Sequence, residues 1–456
     1  MTDDHAEPDD AIDLRATAER VVAEAQPGEA LEVVVGTSSN TSVRAYDGDV
    51  EAMTVARTAG VGIRIIRDGR QGFASAGSLE ADVIAETLAE ARSNVPFAEV
   101  DEFVRLAEPD GVAAVDQDLW DDSVLTTPTE DKVAMAIELE ARVRSGDPRI
   151  TGVRSASYGD RSSHSVIAST TGIMAEGRST AASISALALA KDGDETQTGG
   201  GSDVGRGPAS LDLAVAAEDA VARATDLLGA TQPQSRRLTL VLEPRMAASL
   251  WSIIAGMMAG DRVLKGRTPF ADRVGEAIAA AGVTITDDPT DPDSYGATPH
   301  DGEGLAARAN HLVTAGVLQG FLYNTVAGAK AGVPSTASAV RGIRSTPGVG
   351  WQALRVEPGA QAPDDLVAGI DDGLFLHSMS GLHSGVNAVS GDFSVGAEGI
   401  MIRDGQLAEP VREATIASTL PKLLQDIVGL GDDLEHRPGG VSCSTLVIGD
   451  VSLGVS

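Results

Sequence analysis

Three features of the sequence predict an α+β fold. Strand-like runs are joined by tight turns instead of crossover helices, amphipathic helices flank those hairpins, and the last half of the chain is chiefly β. They imply an N-terminal antiparallel sheet with helices, followed by a β-rich C-terminal domain with peripheral helices. At 456 residues the chain exceeds one compact core. Its punctuation divides it into a flexible acidic tail at 1–10, an α+β module at 11–107, a second α+β module at 108–232 and a β-rich domain at 233–456.

In the first module, Ile12, Ala16, Ala18, Val21 and Val22 recur at helical spacing over 11–25, and Pro27-Gly28 stops the helix. Short strands follow at 31–35, 41–46 and 50–57, the last two joined by the tight-turn pair Asp47-Gly48. Residues 60–66 and 71–74 form another hairpin around Asp68-Gly69. Ser78 precedes a helix at 79–92, whose first turn carries Glu80 and Asp82 where they complement the helix dipole.

Past an Asp- and Pro-rich loop at 108–128, Thr129 is placed to cap a helix at 130–144, ended by Gly146-Asp147-Pro148. Strands at 150–158 and 162–169 and a longer β-compatible run at 177–190 come next. The glycine cluster at 198–207 lacks the Gly-Lys-Ser/Thr spacing of a phosphate loop and reads as a flexible loop. A helix at 211–228 is bounded by Gly229 and Pro233.

The C-terminal domain opens with a strand at 237–242. Glu243-Pro244 then starts a helix reaching to about Gly260, whose Met246, Leu250, Ile253, Ile254, Met257 and Met258 form an apolar face suited to a core or an interface. Expected next are a helix at 269–281, a strand at 283–286 and solvated acidic loops at 287–293 and 364–365. Strands at 316–322, 383–393, 396–403 and 406–410, a helix at 415–428 and strands at 443–448 complete the reading. Residues 402–406 echo 66–70, which reflects shared hairpin chemistry and not a repeat.

A net charge of −32 repels phosphate backbones and anionic membranes, and no Lys/Arg stripe offsets it, so nucleic acid and membrane are excluded as partners. No run of about 18 apolar residues is present. The acidic start, Met1-Thr2-Asp3-Asp4-His5, has no apolar leader, and the single Cys443 suits a reducing compartment; a cytoplasmic location is expected. Neither a nucleotide nor a redox cofactor has a matching motif.

Met258-Ala259-Gly260-Asp261-Arg262-Val263, Lys265-Gly266-Arg267-Thr268-Pro269-Phe270 and Val283-Thr284-Ile285-Thr286-Asp287-Asp288 resemble the TldD/PmbA family, also called the TldD/TldE peptidases. Ser390-Gly391-Asp392-Phe393-Ser394 and Leu430-Gly431-Asp432-Asp433 are similar to the same family. The resemblance implies a paired system. A TldD-like subunit holds zinc with a His-Glu-x-x-x-His helix and a distant cysteine, while a PmbA/TldE-like subunit lacks that motif and helps enclose the chamber. Carried onto this chain, the histidine positions fall on Trp251 and Gly256, the glutamate on Ser252 and the cysteine near Cys443. Indole, hydroxyl and bare backbone are not zinc ligands. The resemblance is therefore to the PmbA/TldE side, with no metal, cofactor or catalytic residue in this chain and zinc in a TldD-like partner acting on peptides.

Two other readings stay open. His377 and His383 could join Cys443 around a metal, which would make a stand-alone hydrolase with an atypical site. Alternatively, the chain is a homo-oligomeric peptide-binding or scaffold protein, dimeric when isolated.

Overall fold

Six long strands, three of them read as six shorter ones in the sequence, build the N-terminal half. The computed structural model describes residues 12–455; the acidic tail expected at 1–10 lies outside them. Helix α1 (Leu14–Ala23) begins where the Asp13 carboxylate accepts the Ala16 amide. Then come β1 (Ala30–Tyr46), β2 (Asp49–Arg67), β3 (Arg70–Ala76), α2 (Ala81–Asn94), the one-turn α3 (Ser123–Thr126) and α4 (Thr129–Ser145). Strands β4 (Ile150–Ser169), β5 (Met174–Asp192) and β6 (Glu195–Gly205) and helix α5 (Leu213–Thr225) follow.

All six strands form one antiparallel sheet in the order β3-β2-β1-β4-β5-β6, so residues assigned to two modules share a single sheet. Its hairpins sit where the Asp-Gly pairs predicted them. Asp47 and Gly48 have φ of 54° and 81°, and Asp68 and Gly69 have 51° and 71°, the left-handed geometry of tight hairpin turns. Helices α1 and α2 cover one end of one sheet face over Leu31, Val33, Ile63 and Ile65. Helices α4 and α5 cover the other end over Val43, Ala45, Tyr158 and Ile184.

Several local expectations are corrected. Thr129 is the first residue of α4 and Pro128 precedes it, with no side-chain cap. The glycine cluster is not a flexible loop: through Gly205 it is strand β6, paired with β5 from Asp192↔Glu195 to Ala182↔Gly205. A Cβ on Gly199 would lie 2.1 Å from the Ala224 amide nitrogen, and one on Gly201 would lie 2.0 Å from the Ala216 carbonyl oxygen. These glycines let α5 rest directly on the strand.

The C-terminal half contains β7 (Arg236–Leu242), α6 (Pro244–Gly256), α7 (Gly260–Leu264), β8 (Ile285–Asp287), β9 (Asn310–Thr314), β10 (Val317–Leu318) and α8 (Thr325–Ala331). It continues with β11 (Ala339–Val340), β12 (Gly348–Val349), β13 (Leu354–Val356), α9 (Pro363–Ala368), β14 (Asp372–Ser380) and α10 (Leu382–Gly385). The chain finishes with β15 (Asp392–Arg403), β16 (Gln406–Thr419), α11 (Leu420–Gln425), β17 (Ile427–Leu430), β18 (Glu435–Arg437), β19 (Val441–Cys443) and β20 (Leu446–Val455). Strands β16, β15, β14, β7 and β20 pair in sequence, and β20 pairs back onto β16, closing a barrel. A second sheet has the order β10-β9-β8-β13-β19-β18. The largest core lies between these sheets and α6.

Residues 269–281 are turns, not the expected helix, and 383–393 hold α10 and a turn in place of a strand. The helix expected at 415–428 is confined to α11, because Ala414 to Ala417 pair with β20. Among the described residues no helix is long and apolar enough to cross a membrane.

Candidate functional site

Helix α6 carries the positions that matter most. Pro244 opens it with a fixed φ and no amide to satisfy. Met246, Leu250, Trp251 and Ile254 turn into the main core, while Ile253 is only partly buried. Trp251 is fully buried, and its indole nitrogen has no hydrogen-bond partner. The Ser252 hydroxyl donates to the Ala248 carbonyl at 2.8 Å, so it is engaged by its own helix. Gly256 ends the helix, and a Cβ there would meet nothing within 4 Å. Five residues separate Trp251 from Gly256, about 140° around the axis. They do not share a face.

Cys443 sits at the other end of α6. Its thiol donates to the Pro244 carbonyl at 3.4 Å, and Trp251 is about 10 Å further along the axis. Burial, with the Glu435 carboxylate adding to it, pushes this thiol up to about 12, which leaves it protonated and inert at neutral pH. The structure thus gathers Trp251, Ser252 and Gly256 on one helix and sets Cys443 apart from them.

His377 and His383 occupy different elements. His377 is buried at a bulge in β14, where the pairing with β15 skips from Leu376 to Ser378. Its ring packs edge-on against Phe375, its Nδ1 has no partner, and burial lowers its pKa. His383 lies on the exposed α10. Among the described residues, no group of three or more His, Cys, Asp or Glu side chains is placed to hold a metal. The side chains at 251, 252 and 256 do not fit zinc either.

A cavity of about 740 Å³ lies elsewhere. It opens between the sheet face of β1, β2, β4 and β5 and the segments 298–302 and 339–344. A Cβ on Gly62 would lie 2.1 Å from the Ile343 carbonyl oxygen, so the bare backbone of β2 is what lets segment 341–344 lie on the sheet. Arg161, His164, Glu176, Asp301, Arg341 and Arg344 are among its lining residues. Asp301 accepts the amides of Glu303, Leu305 and Ala339. Burial, reinforced by the Glu303 carboxylate, still pushes it up to about 7.

Beside the cavity a buried ionic cluster ties the halves together. Glu32 holds Arg64 through two bonds of 3.1 and 2.8 Å, and Arg341 donates to the same carboxylate. Glu303 approaches Arg64 at 3.8 Å, and its pKa is raised chiefly by burial. Sequence reasoning missed this cluster. The available signal was a lone acid between Leu31 and Val33 and a lone arginine between Ile63 and Ile65, which are direct cross-strand partners. The acidic loop was also misread. Asp287 is fully buried, accepting the Gln352 and Ala353 amides at 2.8 Å each, and burial pushes it up to about 6.

A helix-covered antiparallel sheet joined to a closed β-barrel, with α6 packed in the main core, is the scaffold that positions these residues. The chain belongs to the PmbA/TldD family. Residues 31–95, 122–228 and 235–455 match the PmbA/TldA metallopeptidase domain 1, central domain and C-terminal domain. It is 25% identical to the metalloprotease PmbA of Escherichia coli O157:H7, covering 92% of this chain and 91% of that one. It is 28% identical to a metalloprotease of Methanothermobacter thermautotrophicus, covering 92% of each. TldE of Thermococcus kodakarensis shares its fold with a TM-score of 0.87 and 23% identity, covering 97% of this chain and 98% of that one.

Proposed function

We propose that this chain is a non-metal-binding, PmbA/TldE-like subunit of a cytoplasmic metallopeptidase system. With a zinc-bearing TldD-like partner it completes a chamber that admits unfolded or small peptides. The observation that carries this reading is α6. Where the family's His-Glu-x-x-x-His motif falls, the chain has a fully buried Trp251, a Ser252 bonded to its own helix and a Gly256 with no side chain. The relatives' names, metalloprotease PmbA and TldE, support a place in a metallopeptidase system.

The test is metal analysis of the purified chain together with peptide cleavage assayed with and without a TldD-like subunit. The expected result is no stoichiometric zinc, no cleavage by the chain alone, and cleavage by the mixture that exceeds the partner's own. Bound zinc with cleavage by the chain alone would instead make it a stand-alone hydrolase. Inertness with the partner, accompanied by stable self-association, would make it a scaffold.

A further inference from the structure

Strand β2 is much longer than the strand outside it. It spans Asp49–Arg67, yet β3 pairs with it only from Val61 to Arg67. Between Asp49 and Gly60 one side of β2 pairs with β1, and among the described residues no strand occupies the other. The two faces here are also open: Val50, Met53 and Val55 are 38, 39 and 57% exposed. After the bulge near the hairpin tip, the β1 register runs without a shift from Ala52 to Gly60. At about 3.4 Å per residue, the open edge is on the order of 40 Å long. No proline interrupts it. An exposed apolar edge of this kind is a template for another strand.

This edge leads into the cavity. Thr58, Ala59 and Gly60 line it, as do Ala76 and Gly77 at the end of β3. A strand added along Asp49–Gly60 would lie in line with β3 and meet the cavity where β3 stops. The charges there are unequally engaged. Glu176 is paired with His164 and Arg15, and Asp301 holds three backbone amides. Arg161 and Arg344 are exposed and have no ion pair among the described residues. The Arg344 guanidinium lies at the end of β3, 3.7 Å from where a Gly77 Cβ would be. In a chain of net charge −32, two free arginines at a cavity mouth favour an anionic group.

We propose that the open edge of β2, Asp49–Gly60, captures an extended polypeptide by strand addition, with the peptide's C-terminal carboxylate entering the cavity beside Arg161 and Arg344. The peptide runs parallel to β2, which brings its C-terminus to Gly60. This deepens the peptide-handling role proposed above by assigning the capture site to this subunit, and it rests on that reading.

The test uses the purified full chain alone, without metal or partner. A fluorescent twelve-residue Ser/Thr/Val peptide with a free C-terminus is titrated by anisotropy, and hydrogen exchange is followed in parallel. The expected result is binding that slows exchange of amides in 49–60. Amidating the peptide's C-terminus, or the exposed Arg344→Gln change, weakens binding about tenfold, the loss of one charge-assisted hydrogen bond. Alternate N-methylation of the peptide backbone abolishes it. The proposal is overturned by an absence of binding to folded chain, by protection elsewhere, or by indifference to N-methylation or amidation. Protection of 49–60 that grows with protein concentration without peptide would give the edge to a second copy and overturn it equally. None of these outcomes depends on zinc or cleavage, so failure here and failure of the metal-free subunit role are separately readable.

Discussion

Replacing Gly201 with alanine tests whether the glycine cluster exists to seat a helix. The added Cβ would lie 2.0 Å from the Ala216 carbonyl oxygen and 2.6 Å from the Ala220 amide nitrogen. Both obstacles are backbone atoms of α5, so no side chain can swing aside. To reach an ordinary 3.4 Å contact, helix and strand must separate by about 1.4 Å. That separation loosens Ala216, Ala217, Ala220 and Ala224, all buried against the sheet. Overpacking a well-filled core costs about 1–3 kcal/mol, and the upper end applies because the helix moves as a unit. Gly200 provides the internal control. Its Cβ would point the other way and meet only Ala186 O at 3.8 Å and a Leu187 methyl at 3.9 Å. None of these glycines has a positive φ, so the contrast measures space and not backbone strain.

The assay is thermal unfolding of both variants, with hydrogen exchange of the α5 and β6 amides to localise the effect. Gly201→Ala should lose about 3 kcal/mol and several degrees of melting temperature. Gly200→Ala should stay within about 0.5 kcal/mol of the parent. Equal melting temperatures for the two variants, with α5 exchange unchanged, would refute the account of this strand.

Cys443, buried and with its thiol pushed up to about 12, should react with a disulfide reagent only when the chain unfolds; rapid native-state modification would contradict its placement. Glu32→Gln should cost about 3–5 kcal/mol in denaturant unfolding because it leaves Arg64 and Arg341 buried without their carboxylate; a change below 1 kcal/mol would show the cluster to be hydrated. Asp287 is raised from 3.8 to about 6 by burial, so its contribution to stability is present below about pH 4 and lost as pH rises through 6. Relative to the parent, Asp287→Asn should therefore gain on the order of 3 kcal/mol between pH 4 and pH 7, and a flat difference across that range would rule out the buried carboxylate.

The hairpins were readable because Asp-Gly pairs need left-handed φ, and Asp404-Gly405, at 49° and 77°, repeats the geometry of Asp68-Gly69. Strand lengths were not. Gly36 and Gly60 look like interruptions, yet they face each other in the β1–β2 register and leave room for Ile343. That need arises in a segment some 280 residues away and leaves no local trace. The helix expected at 269–281 failed for a related reason. Its apolar residues Phe270 and Ile278 are buried in the main core without helical hydrogen bonding, because neighbouring strands supply the partners: the Gly275 amide goes to Leu318 and that of Ile278 to Gly316. The apolar face of α6 was legible from spacing alone. The cavity was not, because its walls come from both halves of the chain.

The same geometry decides whether a metal centre can be restored by writing the motif back. Trp251→His, Ser252→Glu and Gly256→His together supply two imidazoles and a carboxylate. The first imidazole replaces a fully buried indole inside an apolar core, where it loses about 3–5 kcal/mol of packing. The second projects from the helix end into open space. Cys443 is held at the first turn by the Pro244 carbonyl, about 10 Å along the axis from residue 251. Zinc ligands must converge within about 2.3 Å of one ion, and a side chain turned into the core at 251 with the thiol at the far end of the helix does not allow it. A zinc titration by calorimetry should therefore show no stoichiometric site in the triple variant, which should also melt below the parent. A folded variant holding one zinc per chain with micromolar affinity or better would mean that α6 can rotate out of its core, and would overturn this account of Trp251.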